Sequence, residues 1–409
     1  MIAAPQRPSP WIPPFGLVAG HVAHAASWIA LLAIGVGGSL AGGFSGLAWV
    51  HLVGLAWLTV VALSVLMHVI PQFCDVQWRG GRLARVSIGV VAVSAYALAA
   101  GFWFDAPRLL ICGALLVCVA LLVYLGAAFA TLAAIRADRL ARAIGRALGI
   151  VLGMLAATAA VGLAMAAALV GGLDKVILGV GPAIHGHLGA VGWLSILIMG
   201  VSMRTLGPIA GRRPASTWAH RITGSLSVAG VLVLVAGLIA RSAWLSWFGA
   251  ATLAVAFALY LVELAGALRL ATVEHRPPQA FLAAAGIWLA LSIVIGFGIL
   301  AGGGYQAAYA FVGLMGWVGQ MVLGHMHHIG VRLLATTMRG ENDETEPGQL
   351  LWLPLTWLTF ALFQLAIGCG VLGLLANNHA AVAAAGVIGL CGWLAMSANV
   401  VVAWRRAAT

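Results

Sequence analysis

Three hydrophobic segments of this sequence share one pattern of residues that could bind a cofactor. In each segment an aromatic residue precedes a tryptophan by six positions, and a cationic or imidazole side chain follows that tryptophan by eleven. The three sets are His51, Trp57 and His68; His187, Trp193 and Arg204; and Phe311, Trp317 and His328. A repeat of such long period indicates that one structural unit has been multiplied. Imidazole is a common ligand for haem iron, copper and zinc, so the pattern indicates cofactor or metal binding.

The histidines fall at two levels of the repeated segment. A helix rises ~1.5 Å per residue, so His51 and His68 lie roughly 25 Å apart along one helix, at opposite ends. The first level also contains His185 and His187. The second level contains His21, His24, Arg204, His325, His327 and His328 together with His68.

The first level predicts a cofactor site formed by His51, His185 and His187. Two histidines from different helices could bind haem on its two axial sides, or hold copper with a third ligand. His185 and His187 are roughly 200° apart around a helix, so both face one metal only after local unwinding. The repeat alignment favours His187 as the partner of His51. The alternative is that these histidines form hydrogen bonds between helices or contact lipid headgroups.

The second level leaves more alternatives open. His325 and His328 are three residues apart and share a helix face, as do His21 and His24. We predict His68, His325, His327 and His328 as metal ligands; the alternatives are a second haem, a proton relay and a cluster that binds anionic lipid headgroups beside Arg204 and Arg332.

One acidic residue, Glu263, is predicted well inside a span. A carboxylate within a membrane is costly unless it is paired. We therefore expect Glu263 to pair with Arg204 or with a histidine, or to carry protons.

The composition predicts an all-α polytopic membrane protein. Hydrophobic residues make up 63% of the chain and charged residues 8%. About 20 apolar residues cross the hydrocarbon core as a helix, and backbone in lipid must be helical or form a closed barrel. The apolar runs lack the alternation of a barrel. The sequence thus predicts one transmembrane domain, residues 1–409, with twelve spans in three pseudo-repeats of four. The pseudo-repeats cover approximately 14–135, 146–270 and 279–404, and the spans approximately 14–36, 45–71, 84–104, 108–135, 146–171, 184–210, 219–240, 245–270, 279–301, 305–331, 350–376 and 379–404.

The net charge of +11 follows the predicted topology. Arginines concentrate in alternate loops, and by the positive-inside rule those loops and both termini are cytoplasmic. We therefore predict the bacterial inner membrane as the location, membrane lipid as a partner, and no nucleic-acid partner. The arginines in question are Arg79, Arg82, Arg85, Arg136, Arg139, Arg142, Arg146, Arg212, Arg213, Arg221, Arg405 and Arg406.

Twelve spans in three blocks of four, with histidines on the second, sixth and tenth, resemble subunit I of the haem-copper oxidases. The string from His187 to Trp193, followed by Gly200 and Arg204, resembles the corresponding span of the NnrS family. That family is a twelve-helix, haem- and copper-containing relative linked to nitric oxide stress. The resemblance implies a haem, which we predict to be b-type, and copper could accompany it. It also implies a redox or nitric oxide-related role, with nitric oxide as a small gaseous ligand.

The sequence departs from the oxidase pattern at the copper site. The seventh span offers only His220 where an oxidase carries a histidine pair, and Phe311 occupies the aligned haem-ligand position of the tenth span. The string His325-Met-His327-His328 is similar to the oxidase HxH string but lies much further along its helix. A complete oxygen-reducing copper centre is therefore not expected.

The sequence leaves the activity open. The leading hypothesis is a haem-binding protein that acts as an oxidoreductase or handles nitric oxide, with an unknown electron donor. One alternative is a transporter for a metal or small anion. The other is an assembly subunit without a cofactor. Polar residues at the two ends of the spans, with few between them, favour the haem hypothesis over transport.

Overall fold

The prediction of an all-α membrane protein is confirmed by a computed structural model, which describes residues 14–37, 44–136, 138–171, 175–211, 217–340 and 345–408. Within these ranges the regular structure is helical, without a strand, and twelve helices are long and apolar enough to cross a membrane. Arg212 and Arg213, assigned above to a cytoplasmic loop, lie outside the described residues. The helices are α1 (Phe15–Gly37), α2 (Ser45–Cys74), α3 (Gly81–Trp103), α4 (Pro107–Leu132), α5 (Arg139–Gly171), α6 (Ile177–Ala210), α7 (His220–Ile239), α8 (Ala243–Arg269), α9 (Pro277–Leu300), α10 (Gln306–Arg339), α11 (Leu353–Leu375) and α12 (His379–Ala408).

Three helices are longer than the predicted spans. Helices α5 and α6 begin at Arg139 and Ile177, before the predicted starts at 146 and 184, and α10 continues to Arg339 rather than ending near 331. The added residues of α6 are apolar, so there the predicted start was too late. The added residues of α5 and α10 contain arginines, which are good helix formers, and a helix can continue into water after its apolar run ends.

A π-helix interrupts α2, α6 and α10 at matching positions. The three π-helices are Leu52–Thr59, His187–Ser195 and Val312–Gly319. Each begins at, or directly after, the residue that the repeat alignment equates with His51. The π-helices contact one another in all three pairings, so they form the centre of the bundle. Such π-helical segments are rare and occur frequently at functional sites.

Tryptophans link the three π-helices. The indole Nε1 of Trp193 donates to Oγ1 of Thr59 at 3.1 Å, and that of Trp317 donates to Oγ of Ser195 at 3.0 Å. Thr59 and Ser195 are equivalent in the repeat, because each lies two residues after its tryptophan. Each bond therefore joins one repeat to the next in the same rotational sense.

The third junction is closed by packing instead of a hydrogen bond. Gly319 occupies the position of the missing hydroxyl, and a Cβ added there would lie 3.1 Å from Cη2 of Trp57. All three repeat tryptophans are at most 3% exposed. The tryptophan layer, defined as Trp57, Trp193 and Trp317, therefore fills the centre of the bundle.

The tryptophan layer predicts a graded loss of stability at Trp193. We expect Trp193→Ala to lower the free energy of unfolding by about 3–5 kcal/mol, because it leaves a large buried cavity. The Trp193→Phe variant keeps most of the volume and loses only the bond to Thr59, about 1 kcal/mol. Denaturant unfolding in detergent would measure both. Equal losses in the two variants would contradict a layer held mainly by packing.

Candidate functional site

Six aromatic or imidazole rings form a cyclic arrangement at the His51 end, meaning the end of the bundle that contains His51, His185 and His187. At each junction between two repeats, the residue aligned with His51 in one repeat contacts a ring of the next repeat. That second ring belongs to the residue two positions before the one aligned with His51. The ring centroids are 6.1 Å apart for His51 and His185, 5.9 Å for His187 and Tyr309, and 5.4 Å for Phe311 and Trp49.

The structure places His185, rather than His187, beside His51. The sequence alignment favoured His187 as the partner of His51, whereas the ring that contacts His51 is that of the other candidate, His185; ligation by either histidine stays a prediction. His185 and His187 lie on opposite sides of α6, so His187 faces the next junction and contacts Tyr309. The π-helix of α6 begins at His187, two residues after His185.

Both rings of the His51–His185 pair are held in the tautomer that leaves Nε2 free to bind a metal. Nδ1 of His51 donates to the carbonyl oxygen of Leu47 at 2.7 Å, and Nδ1 of His185 donates to that of Thr158 at 2.9 Å. A carbonyl oxygen only accepts, so Nδ1 carries the proton and Nε2 of the neutral ring keeps its lone pair. Neither Nε2 has a hydrogen-bond partner in the described part of the chain. Metal-binding histidines are typically oriented by such bonds.

A poorly covered stretch of α5 lies beside the pair. Helix α5 contacts His185 closely, since a Cβ added at Gly162 would lie 2.8 Å from Cε1 of His185. A helix packed along one face normally buries a residue in every turn. Residues 156–165 of α5 contain no buried side chain, although this stretch is in the middle of the helix. Side chains on the inner side of α5 are therefore only partly covered, although several of them, such as Ala159 and Val161, contact the core.

The other two repeats provide an internal comparison for this stretch. The equivalent residues are 20–29 in α1 and 280–289 in α9, and both stretches bury a residue in each turn. The buried residues are Gly20, Ala23, His24, Ser27 and Trp28 in α1, and Phe281, Leu282, Ala284, Ala285, Gly286 and Leu289 in α9. This partly covered stretch, called here the α5 groove and formed by residues 156–165, is thus particular to the junction that contains two histidines.

The donors at this junction fit haem better than a bare metal ion. Two imidazoles bound to opposite sides of one metal, with metal–nitrogen bonds of ~2 Å, have ring centres ~6 Å apart. The separation of 6.1 Å between His51 and His185 agrees with this distance. A bare ion such as zinc takes four ligands, and no group of three or more His, Cys, Asp or Glu side chains able to hold a metal is present among the described residues. Haem supplies four nitrogens of its own and requires only the two axial ligands.

The remaining two junctions lack a second imidazole. His187 is oriented like His51, with Nδ1 donating to the carbonyl oxygen of Ala183 at 2.7 Å, but its partner Tyr309 is a phenol. At the third junction Phe311 is fully buried and Trp49 is 5% exposed. Of the three junctions, the one between His51 and His185 therefore brings two imidazoles together.

At the opposite end, the predicted metal ligands have other partners. His325 uses both ring nitrogens, because Nδ1 donates to the carbonyl oxygen of Met321 and Nε2 is 2.7 Å from Oγ1 of Thr205. His327 donates from Nδ1 to the carbonyl oxygen of Leu323 and stacks on Phe281.

Two further candidates at that end complete the predicted metal set. His328 is 6% exposed, with Nδ1 buried and unpartnered among the described residues, and His68 is partly buried. The structure does not bring three of the four predicted ligands together as a metal site in its described part. Nearby His275, between α8 and α9, forms a hydrogen bond with the backbone of His327, and burial lowers the pKa of His275.

His21 and His24 do not act together, although they share a helix face. Nε2 of His21 is 2.8 Å from Oγ of Ser397, and its ring stacks on Trp393 of α12. His24 stacks on Trp57 with ring centroids 3.8 Å apart. The first residue therefore joins α1 to α12, and the second supports the tryptophan layer.

Glu263 is paired with a histidine, which was one of the two partners expected from the sequence. Nδ1 of His220 donates to Oε2 of Glu263 at 2.7 Å, while Oε1 is buried without a partner among the described residues. The other expected partner, Arg204, instead lies over the ring of Phe73, 5.5 Å from its centroid. This arrangement makes Glu263 part of a contact between α7 and α8.

The Glu263 pair predicts unequal effects of two substitutions. His220→Ala leaves a largely covered carboxyl group without its partner, and we expect a loss of about 1–3 kcal/mol. Glu263→Gln keeps an acceptor for His220, so it should cost less. Denaturant unfolding of both variants in detergent checks the order. A larger loss for Glu263→Gln would contradict a carboxyl group that depends on His220 for its hydrogen bond.

The sequence analysis did not predict a series of hydrogen-bonded side chains within the third repeat. Nε1 of Trp288 donates to Oε1 of Gln364 at 2.9 Å, and Nε2 of Gln364 donates to Oε1 of Gln320 at 2.6 Å. Gln320 is 1% exposed and directly follows the third π-helix. The prediction that few polar residues lie between the two ends of the spans is therefore wrong for this repeat. A search for uncharged amides inside apolar runs could have found it.

Two comparisons with known proteins found no match to this chain. No family model matches the sequence, and no curated protein matches it at a significant level. The resemblance to haem-copper oxidases and to the NnrS family accordingly stays a prediction, and the functional conclusion depends on the geometry of the site.

Proposed function

We propose that this protein binds haem between its first and second repeats, with His51 and His185 as the axial ligands, and that it has a redox or nitric oxide-related role. The observation that carries the proposal is the coincidence of two features at one junction. The junction with two neighbouring imidazoles, 6.1 Å apart, is also the junction where residues 156–165 of α5 are only partly covered. A flat macrocycle would need both the two ligands and incomplete packing beside them.

The surrounding residues would hold the cofactor without covalent attachment. The five cysteines include no CxxCH string, which is the signature of c-type haem, so a b-type haem is expected. When bound, haem supplies one-electron redox chemistry and binding of gaseous ligands, and axial ligands and burial set its potential. The bonds from Nδ1 to backbone carbonyls keep His51 and His185 oriented and increase the basicity of each Nε2.

The proposed setting is the bacterial inner membrane. From the arginine-rich loops and the positive-inside rule, we infer that both termini are cytoplasmic and that the His51 end faces the periplasm. Haem would thus bind close to the periplasmic surface, where a soluble or membrane-bound electron donor could reach it.

The centre of the bundle argues against the transporter alternative. In transporters, substrate sites lie near the middle of the membrane, between repeats. Here the tryptophan layer fills that position, with each indole at most 3% exposed. Copper remains part of the proposal only as a second metal, since the described residues offer no group of three ligands for it.

The test is an optical spectrum of protein purified in detergent from haem-replete cells, in the oxidised and reduced states. Iron and copper are quantified on the same sample. We expect a Soret band that shifts and sharpens on reduction, with about one haem per chain held by two nitrogen ligands. A featureless spectrum with no iron would refute the proposal and favour an assembly subunit without a cofactor.

A further inference from the structure

Two side-chain oxygen atoms between α7 and α8 are buried without a hydrogen-bond partner among the described residues. One is Oε1 of Glu263, whose other oxygen accepts from His220, and the second is Oγ1 of Thr223. The side chain of Thr223 is almost fully covered, since the residue is 3% exposed. A buried polar atom without a partner is costly, so these two oxygens indicate a ligand held beside them.

The packing of α7 against α8 brings both oxygens to one antiparallel seam. A Cβ added at Gly230 of α7 would lie 2.9 Å from the backbone nitrogen of Leu253 of α8. Ten residues before Gly230 and ten residues after Leu253, His220 bonds to Glu263, so the two helices keep one register over this length. Thr223 lies three residues after His220 and therefore on the same face of α7.

The hydroxyl of Thr223 behaves differently from its neighbours on the same helices. A serine or threonine hydroxyl inside a helix commonly donates to the carbonyl oxygen three or four residues earlier. Ser227 does so to Thr223 at 2.8 Å, and Thr205 of α6 does so to Val201 at 3.2 Å. Thr223 makes no such bond within the described part of the chain. Its oxygen is therefore available to a ligand in the seam.

The chemistry of the seam favours a small monovalent cation. Carboxylate and hydroxyl oxygens are the ligands that hard cations prefer. A neutral imidazole at His220 donates a hydrogen bond to Glu263 without contributing charge, so one negative charge awaits one positive charge. A divalent ion would leave an uncompensated charge in an apolar bundle. The side chains of His220 and Glu263 are 23% and 13% exposed, so an ion can reach the seam from the surface.

We propose that the seam between α7 and α8 binds one alkali cation, sodium in the test below, through Oε1 of Glu263 and Oγ1 of Thr223. The ion neutralises the carboxylate and joins the two helices, and water completes its coordination. This site lies at the end of the bundle opposite His51 and shares no residue with the proposed haem site. It therefore stands or falls independently of haem.

The sodium dependence of thermal unfolding tests the site. The protein, purified in detergent, is unfolded in sodium chloride or in choline chloride of equal ionic strength, at about pH 8, where imidazole is ordinarily neutral. An ion that binds the folded state raises the unfolding temperature, whereas choline is too large for the seam. We expect a higher unfolding temperature in sodium and about one radiolabelled sodium ion bound per chain.

Three variants locate the ion. Glu263→Gln should abolish the sodium dependence, because it removes the charge. Thr223→Val keeps the shape of the side chain and should weaken sodium binding on the order of ten-fold, because it removes one oxygen ligand. Ser227→Ala is the matched control, since it removes a hydroxyl that is already bonded on the same face of α7. We expect Ser227→Ala to keep the sodium dependence of the unmodified protein.

Each contrary outcome is distinct from failure of the haem proposal. Equal unfolding temperatures in sodium and choline, with no bound sodium, would overturn the cation site and leave a proton or a water as the partner of these oxygens. Unchanged sodium dependence in Glu263→Gln would place the ion elsewhere and also overturn it. Tighter binding of calcium than of sodium would overturn the monovalent class. The order of stability losses given above for His220→Ala and Glu263→Gln applies in choline, without the ion.

Discussion

His51→Ala is expected to abolish haem binding, with the haem content falling from about one per chain to near zero. The reason is that His51 is the firmly held ligand: its bond to Leu47 and its stacking on Phe102 fix the ring before any cofactor arrives. Alanine removes that ligand, and the remaining contacts of the groove are with methyl groups. The haem-to-protein ratio after purification, measured by absorbance and iron content, gives the result.

His187→Ala is the matched control for this prediction. It removes the same side chain from the position aligned with His51, but its ring contacts Tyr309 at the next junction. We expect His187→Ala to keep its haem and its spectrum. Thermal unfolding of both apoproteins should show that each is folded. Equal loss of haem in the two variants would mean that the ligand pair is assigned to the wrong junction.

The number and the class of the spans could be predicted because lipid restricts the backbone to helices. A run of about 20 apolar residues has one low-energy structure in a bilayer, so composition alone leads to twelve helices. The π-helices at Leu52–Thr59, His187–Ser195 and Val312–Gly319 could not be predicted. They lie where the three repeats meet, and they occur together with contacts between residues far apart in the sequence. No local residue preference indicates such contacts.

The sequence could predict that these rings lie at one end of the bundle, but not which rings contact one another. Alignment of the repeats equates His51 with His187, and it is natural to expect equivalent residues to meet. In a cyclic arrangement, however, equivalent residues face successive junctions, and contact occurs between non-equivalent positions. The partner of His51 is therefore His185, which aligns with Trp49 and Tyr309. The sequence has a ring-bearing side chain at all three of those positions, and this pattern could have indicated the pairing.

The α5 groove had no usable sequence signal. Alanine and glycine in a membrane helix usually indicate close packing against a neighbour. Residues 156–165 have this composition, yet none of them is buried, whereas the equivalent residues in α1 and α9 are packed in every turn. Small side chains allow either close approach or open space. Which of the two occurs depends on the position of neighbouring helices.

Gly162→Leu is expected to remove haem while leaving the fold intact. A Cβ alone at Gly162 would lie 2.8 Å from Cε1 of His185, closer than such atoms approach in proteins, and leucine adds three more carbons. The ring of His185 must then leave its position, and the leucine side chain occupies part of the α5 groove. Contacts between α5 and α6 elsewhere, such as Gly192 against Met154, stay unchanged and should hold the helices together.

Gly153→Leu separates this local effect from a general effect of leucine in α5. Gly153 lies on the same helix, and nothing is within 4 Å of a Cβ added there. We expect Gly153→Leu to keep about one haem per chain and Gly162→Leu to keep almost none, with similar unfolding temperatures for the two apoproteins. If Gly162→Leu retained its haem with an unchanged spectrum, His185 would not be an axial ligand. Ligation by His51 would then require a partner other than His185.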